Sequence, residues 1–180
     1  MLLETGDADA VSIRAVATAV GVTSPAIYLH FDDKQALLDA ICDVRFAELN
    51  KAMDAAAARS DEPLESLRLR GEAYVRFAVD NPEHYRLLMM TKNPESHKTG
   101  PSEGIEPSQG AIAFAKLVES VGHCIENGDL QEIDPMDGAL VLWAGVHGLS
   151  SLLISTPNFG WPDDIIDKLL GALVFGLAPR

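Results

Sequence analysis

Hydrophobic residues recur at helical spacing along most of this chain. Near the N-terminus, Ile13, Val16, Ala17 and Val20 fall at i, i+3, i+4 and i+7, so they share one helix face. No segment of useful length alternates apolar and polar residues with the period of two that a half-buried strand requires. The pattern therefore predicts an all-α protein of about nine helices, of which the first is represented only by its last turn, before Gly6.

The segment from Ser12 to Leu38 predicts three helices joined by tight turns. Gly21 ends the first of them, because glycine tolerates the left-handed backbone that follows a helix. Thr23 or Ser24 can cap a very short second helix, and Pro25 suits its first turn. A helix, a glycine-containing turn and a short second helix form the helix-turn-helix pattern, whose second helix enters the DNA major groove.

The remaining runs of apolar residues at helical spacing predict longer helices. Asp32 or Asp33 is expected to cap a helix that begins at Lys34 and runs to about Arg59, linking the N-terminal part to the rest. Residues 92–107 contain three Pro, two Gly and few apolar residues, which is typical of a mobile surface loop. Five further helices are predicted at 64–80, from 82, at 114–128, from 135 and at 165–177.

The run GVTSPAIYLHFDDKQALL resembles the DNA-binding domain of TetR-type transcriptional regulators. Eight positions agree with the family pattern, namely Gly21, Val22, Ser24, Ala26, Tyr28, His30, Phe31 and Lys34. A shorter similarity places Trp143, His147 and Gly148 on a Trp-x-x-x-His-Gly signature of the ligand domain in one TetR subgroup. The resemblance implies a helix-turn-helix DNA-binding domain at residues 1–45, and a helical ligand-binding and dimerisation domain at residues 46–180.

The resemblance also indicates which side chains meet DNA. Small or apolar residues of the second helix suit close approach to base edges, whereas Thr23, Tyr28, His30 and Lys34 are implied to contact the DNA backbone. The alternative is that Tyr28 and Phe31 are core aromatics of a small helical domain, which we favour for Phe31 only. The candidate DNA-binding residues are Arg14, Thr23, Ser24, Pro25, Ala26, Tyr28, Leu29, His30 and Lys34.

The charge of the chain opposes simple electrostatic binding to DNA. The formal net charge is −13, and residues 1–45 hold three basic and seven acidic side chains, a net charge of −4. Lys and Arg contacts to phosphate supply most non-specific affinity for DNA. We therefore expect that a complete first helix with basic residues is missing, through truncation or a misassigned start. The chain as given should then bind DNA weakly, and its N-terminal domain should be less ordered than the rest.

Aromatic and methionine side chains gather on the predicted central helices. Ligand pockets between helices are mostly apolar with a few polar groups, which Tyr hydroxyls, the Trp N–H or His147 can supply. The alternative is that these residues are ordinary core. The candidate ligand-binding residues are Tyr74, Phe77, Tyr85, Met89, Phe114, Trp143 and His147, and the expected ligand is a small apolar effector.

Nothing in the sequence indicates catalysis or a cofactor. It contains no Gly-x-Ser-x-Gly, no glycine-rich phosphate loop and no His-Glu-x-x-His. We interpret His123 and His147 as core or rim histidines rather than metal ligands. We therefore expect no catalytic residue, no metal site and no cofactor, and a protein that is not an enzyme.

The last two helices are apolar on more faces than one small core can bury. A homodimer that packs two such helices from each subunit into a four-helix bundle would cover them. The candidate interface residues are Leu142, Val146, Leu149, Leu153, Ile166, Leu169, Leu170 and Leu173.

These observations predict a cytoplasmic, ligand-responsive regulator with operator DNA as its partner, and more specifically a repressor that a small apolar molecule releases. No apolar run reaches the roughly 18 residues that span a bilayer, and no secretion signal is recognisable, so no membrane partner is expected. The alternative function is a helical small-molecule-binding dimer that does not bind DNA.

Overall fold

The computed structural model describes residues 12–90 and 107–179, and all their regular elements are helices. The predictions for the first helix and its order lie outside the described residues, as does the predicted loop at 92–107 except for its last residue. The all-helical fold is confirmed. The elements are α1 (Ile13–Val20), α2 (Ser24–Tyr28), α3 (Lys34–Ala57), α4 (Pro63–Asp80), α5 (Pro82–Tyr85), a π-helical turn (Arg86–Met90), α6 (Gln109–Glu126), α7 (Pro135–Ser155) and α8 (Ile165–Leu177).

Local capping signals set the boundaries of the first helices. The Ser12 hydroxyl accepts a hydrogen bond from the Ala15 backbone N–H at 3.2 Å, and α1 ends at Gly21, whose φ of 74° is left-handed. Of the two candidate caps for α3, Asp33 takes the position and accepts from the Ala36 N–H at 2.8 Å. These bonds satisfy backbone donors that a helix start leaves without an intrahelical acceptor.

Helix α3 is 24 residues long and crosses the predicted domain boundary between residues 45 and 46 without interruption. Its C-terminal half packs against α4 and α6. The DNA-binding pattern and the C-terminal bundle therefore share one continuous helix.

Two connected apolar clusters form the core of the C-terminal bundle. One lies between α3, α4, α5, α7 and α8, and the other between α4, α6, α7 and α8. Glycine allows the closest approach between α7 and α8, since a Cβ built at Gly145 would lie 2.6 Å from the Leu173 Cδ1 atom. A Cβ at Gly71 of α4 would likewise lie 2.8 Å from Leu170.

The predicted dimer-interface residues differ in how far the protomer's own core already covers them. Leu142, Val146, Leu149 and Leu170 are buried within the protomer, so they present little surface to a partner. The other four residues are half-buried and pack inward against the same two clusters: Leu153, Ile166, Leu169 and Leu173. Periodicity showed that α7 is apolar on several sides, but not which side the protomer's own core covers.

A different face of α7 and α8 is apolar and exposed. It carries Val141 and Leu152 on α7 and Phe175 on α8, whose side chain is 85% exposed. Small residues lie beside them at Ala144 and Ala172. We call these five residues the α7–α8 face.

Helix α7 is long and apolar enough to cross a membrane by length and composition alone, with a mean hydropathy of 1.5 over its most apolar window. This differs from the expectation that no such segment exists. Burial explains part of that apolar character, because α7 packs against α4, α6 and α8.

Candidate ligand pocket and DNA-binding surface

A cavity of about 390 Å³ lies between α3, α4, α6, α7, α8 and the π-helical turn. Its volume falls in the range of small-molecule sites. Four of the seven predicted ligand-binding residues line it: Tyr74, Met89, Phe114 and Trp143. Sequence reasoning missed several other lining residues, among them Phe46, Leu49, Met53, Arg68, Arg70 and Gly71.

The π-helical turn helps to shape one wall of this cavity. It carries Leu88 and Met89, which both line the cavity, immediately after Tyr85. Single π-helical turns are frequent at functional sites, because the extra residue per turn redirects the side chains that follow. No periodicity in the sequence indicated it.

Aromatic rings form the opposite wall. Phe114 on α6 and Trp143 on α7 meet edge to face, with ring centroids 5.7 Å apart, and Trp143 lies 6.0 Å from the His147 ring. Such edge-to-face pairs are favourable because the positive edge of one ring meets the negative face of the other. The arrangement fixes both large side chains at the cavity.

Behind this wall, a chain of hydrogen bonds connects three of the predicted residues. The Tyr74 and Tyr85 hydroxyl oxygens are 3.1 Å apart, and the Tyr85 hydroxyl lies 2.7 Å from His147 Nδ1. Burial raises the pKa of both tyrosines and lowers the pKa of His147, so the three groups are neutral near pH 7.

Three predicted ligand-binding residues do not line the cavity. Tyr85 and His147 lie behind Tyr74, and Phe77 is half-buried against the α3–α4–α7 core. Tyr85 and His147 are connected to the cavity through the hydrogen bonds that lead to Tyr74, and ligand binding by Tyr85, His147 and Phe77 stays a prediction.

Two arginines of α4 lie at the cavity with different partners. The Arg68 guanidinium is surrounded by carboxylates, with Nε 2.8 Å from Glu65 and Nη1 3.4 Å from Glu72 and 3.2 Å from Asp167. The hydrogen bond that Arg68 donates to the Glu65 carboxylate outweighs partial burial and raises the pKa of Arg68. Arg68 therefore ties α4 to α8 and has little capacity for another anion.

Arg70 has one carboxylate partner and keeps other donors unused. Its side chain is only 12% exposed, and its Nη2 lies 3.0 Å from Asp54 Oδ1. The Nε and Nη1 atoms are buried without a hydrogen-bond partner. Asp54 is shared, because its other oxygen lies 2.5 Å from Lys116 Nζ. Burial acts to raise the pKa of Asp54, but hydrogen bonds from Lys116 and Arg70 outweigh it and lower that pKa.

The second candidate site is the surface around α2. Tyr28 is 54% exposed and Leu29 is 82% exposed, although both are large and one is apolar. Exposure of this kind on a two-turn segment is typical of an interaction surface. Thr23 occupies the N-cap position without a side-chain hydrogen bond to the helix.

Eight of the nine predicted DNA-binding residues lie in α2, next to its ends or at the start of α3, and Arg14 lies on α1. Lys34 begins α3, immediately after the α2–α3 turn, and Arg14 is exposed on α1. Exposed members are Arg14, Thr23, Pro25, Tyr28, Leu29 and His30, and partly buried members are Ser24, Ala26 and Lys34. Among the described residues, no group of three or more His, Cys, Asp and Glu is arranged to hold a metal ion.

Two family models match separate parts of the chain. A family model described as "Tetracyclin repressor-like, C-terminal domain" matches residues 67–177. A second, described as "Bacterial regulatory proteins, tetR family", matches residues 1–41. No curated protein matches the sequence.

Solved structures share the fold over nearly the whole chain. A protein of unknown function from Rhodococcus sp. RHA1 is 27% identical, with a TM-score of 0.78, covering 98% of this chain and 90% of its own. A TetR family transcription regulator from Marinobacter aquaeolei VT8 is 20% identical, with a TM-score of 0.74 and coverage of 99% and 94%. The fatty acid degradation regulator FadR from Bacillus halodurans is 14% identical, with a TM-score of 0.77 and coverage of 98% and 93%.

Proposed function

Because this chain belongs to the TetR family of bacterial regulatory proteins, we propose that it is a repressor released from operator DNA by a small apolar molecule. The family makes it a DNA-binding transcription regulator rather than an enzyme. One observation supports the proposed response to a ligand. Helix α3 begins with Lys34 beside the exposed α2, and the same helix supplies Phe46, Leu49 and Met53 to the cavity. A ligand in the cavity thus contacts the element that positions the DNA-binding surface.

The proposed complex with DNA requires a homodimer. Exposed apolar side chains on the α7–α8 face would pack against the same face of a second subunit, giving an isologous four-helix interface. The two α2 helices would then read half-sites about one helical turn apart. We place this regulator in the cytoplasm, where its operator lies.

DNA binding can be tested by selecting sequences from a random duplex pool at about 50 mM salt, where phosphate contacts contribute strongly. At this salt concentration we expect even weak binding by the native chain to enrich a sequence with two-fold symmetry. Tyr28→Phe should weaken binding to all duplexes to a similar degree, because removing a phosphate contact carries no sequence information. Val44→Ala, an exposed position on α3, is the matched control.

Failure to enrich any sequence would favour the alternative function, a small-molecule-binding dimer without DNA binding. The net charge of −4 over residues 1–45 is the observation that favours this alternative. The same selection therefore decides between the two functions.

Ligand binding can be tested with N-phenyl-1-naphthylamine, an apolar dye whose fluorescence rises on leaving water. We expect Trp143→Ala to change dye affinity and to leave DNA affinity unchanged, because Trp143 lines the cavity far from α2 along the chain. Phe77→Ala is the matched control, since Phe77 is half-buried but does not line the cavity. Equal effects of the two variants on dye affinity would place the ligand elsewhere.

A further inference from the structure

The polar side chains of the cavity differ in whether their hydrogen-bonding groups are already used. Ser108 caps α6, and Trp143 and Tyr74 are hydrogen-bonded within the Tyr74–Tyr85–His147 network. Arg68 is held by three carboxylates. Arg70 is the exception among the described lining residues, because two of its three guanidinium nitrogens are buried without partners.

The charges around Arg70 leave one positive charge in excess. Arg70 and Lys116 share the single carboxylate of Asp54, and the rest of the cavity wall is mainly apolar. A buried cation whose donors lack acceptors is costly, and it becomes favourable when an anion supplies them. Hydrogen bonds to a charged group contribute more than neutral ones.

We propose that the effector is a monoanion, a carboxylate attached to an apolar body, and that the Arg70 side chain, which lines the cavity, binds its carboxylate. One negative charge balances the excess positive charge, whereas a dianionic phosphate would leave an unbalanced charge in an apolar cavity. The 390 Å³ of the cavity accommodates about a dozen non-hydrogen atoms at roughly 30 Å³ each. This inference rests on the proposed role of the cavity as the effector site.

Two acid and amide pairs of this size test the proposal, namely decanoate with decanamide and 2-naphthoate with 2-naphthamide. Each pair has nearly the same shape and differs in charge at pH 7.5. We expect isothermal titration of the native chain to show that at least one acid binds about ten- to hundredfold more tightly than its amide.

Two arginine variants then locate the charge that the acid meets. Arg70→Met should remove the preference for the acid with little effect on the amide. Arg68→Met is the control and should keep the preference, because the Arg68 guanidinium is occupied by Glu65, Glu72 and Asp167. Thermal unfolding of each variant establishes that it is folded, and the native comparison of acid with amide stands even if Arg70→Met does not fold.

Three results would overturn the proposal: equal affinity of acid and amide in both pairs, no binding of either pair, or a preference that survives Arg70→Met. The DNA selection described above uses neither probe. Successful selection together with equal acid and amide affinities would therefore reject only the carboxylate assignment. Failed selection would reject the proposed regulatory function whatever the probes do.

Discussion

Phe175 offers a direct test of the proposed dimer. Its side chain is 85% exposed on α8, in the α7–α8 face, so nearly all its apolar surface is available to a partner. Burying a phenylalanine side chain contributes about 1.5–3 kcal/mol. An isologous interface contains each residue twice, so Phe175→Ala should cost about 3–6 kcal/mol of association free energy. At 1.4 kcal/mol per factor of ten, the dissociation constant should rise about 10²- to 10⁴-fold.

Sedimentation equilibrium over a range of concentrations measures this constant directly. Val44→Ala removes an exposed apolar side chain from α3, which packs against α4 and α6, and it should leave the constant unchanged. The reasoning fails if the native chain is a monomer at micromolar concentration. It also fails if Phe175→Ala and Val44→Ala dissociate alike.

Three further perturbations test the packing, protonation and capping of single residues. Gly145→Val should lower the free energy of unfolding by about 1–3 kcal/mol in urea, because a Cβ there would lie 2.6 Å from Leu173. A loss below about 0.5 kcal/mol would contradict this packing. Burial lowers the pKa of His147, so the unfolded state takes up the proton before the folded state as the pH falls below about 6.5. Urea titrations at several pH values should therefore show the free energy of unfolding falling as the pH drops from about 6.5 towards the folded pKa. His147→Gln should lack this pH-dependent loss of stability. Asp33→Ala should lower the free energy of unfolding by about 1 kcal/mol in the same assay, while Asp33→Ser should retain most of that stability.

The helices were predictable because their signals are local. Ser12, Gly21, Asp33 and Pro135 each lie at a helix end, where capping or a special backbone conformation selects a few residue types. Apolar periodicity then indicated which segments between those ends are helical. For α3, the predicted end at about Arg59 and the observed end at Ala57 differ by only two residues.

The neighbours of each helix face could not be predicted in the same way. Leu142 and Val141 are adjacent apolar residues of α7, yet the first is buried in the protomer and the second lies in the exposed α7–α8 face. Periodicity reports that a face is apolar, but the partner depends on how α4, α6 and α8 pack around it. The aromatic residues of the cavity were nevertheless partly predictable, because large rings fill space on more than one face of a helix.

Arg70 shows the limit of sequence reasoning most clearly. Together with Arg68 it stands in the run LRLRGEAY, which looks like an ordinary solvated stretch of α4. The burial of Arg70 depends on Asp54 of α3 and Lys116 of α6, which are distant in sequence. Neither composition nor spacing connects these three residues, so only the tertiary structure reveals an unsatisfied cation at the cavity.

The length and continuity of α3 determine how far a small movement at the cavity displaces the other end of this helix. At about 1.5 Å per residue, the twelve residue steps from Lys34 to Phe46 span about 18 Å of rigid helix. A pivot of about 10° at Phe46 would displace the Lys34 end by about 3 Å, close to the rise of one base pair, about 3.4 Å. Two subunits pivoting in opposite directions would double that displacement. A movement no larger than a side-chain rotation at the Phe46 end of α3 is therefore enough to move its Lys34 end out of register with the grooves of DNA.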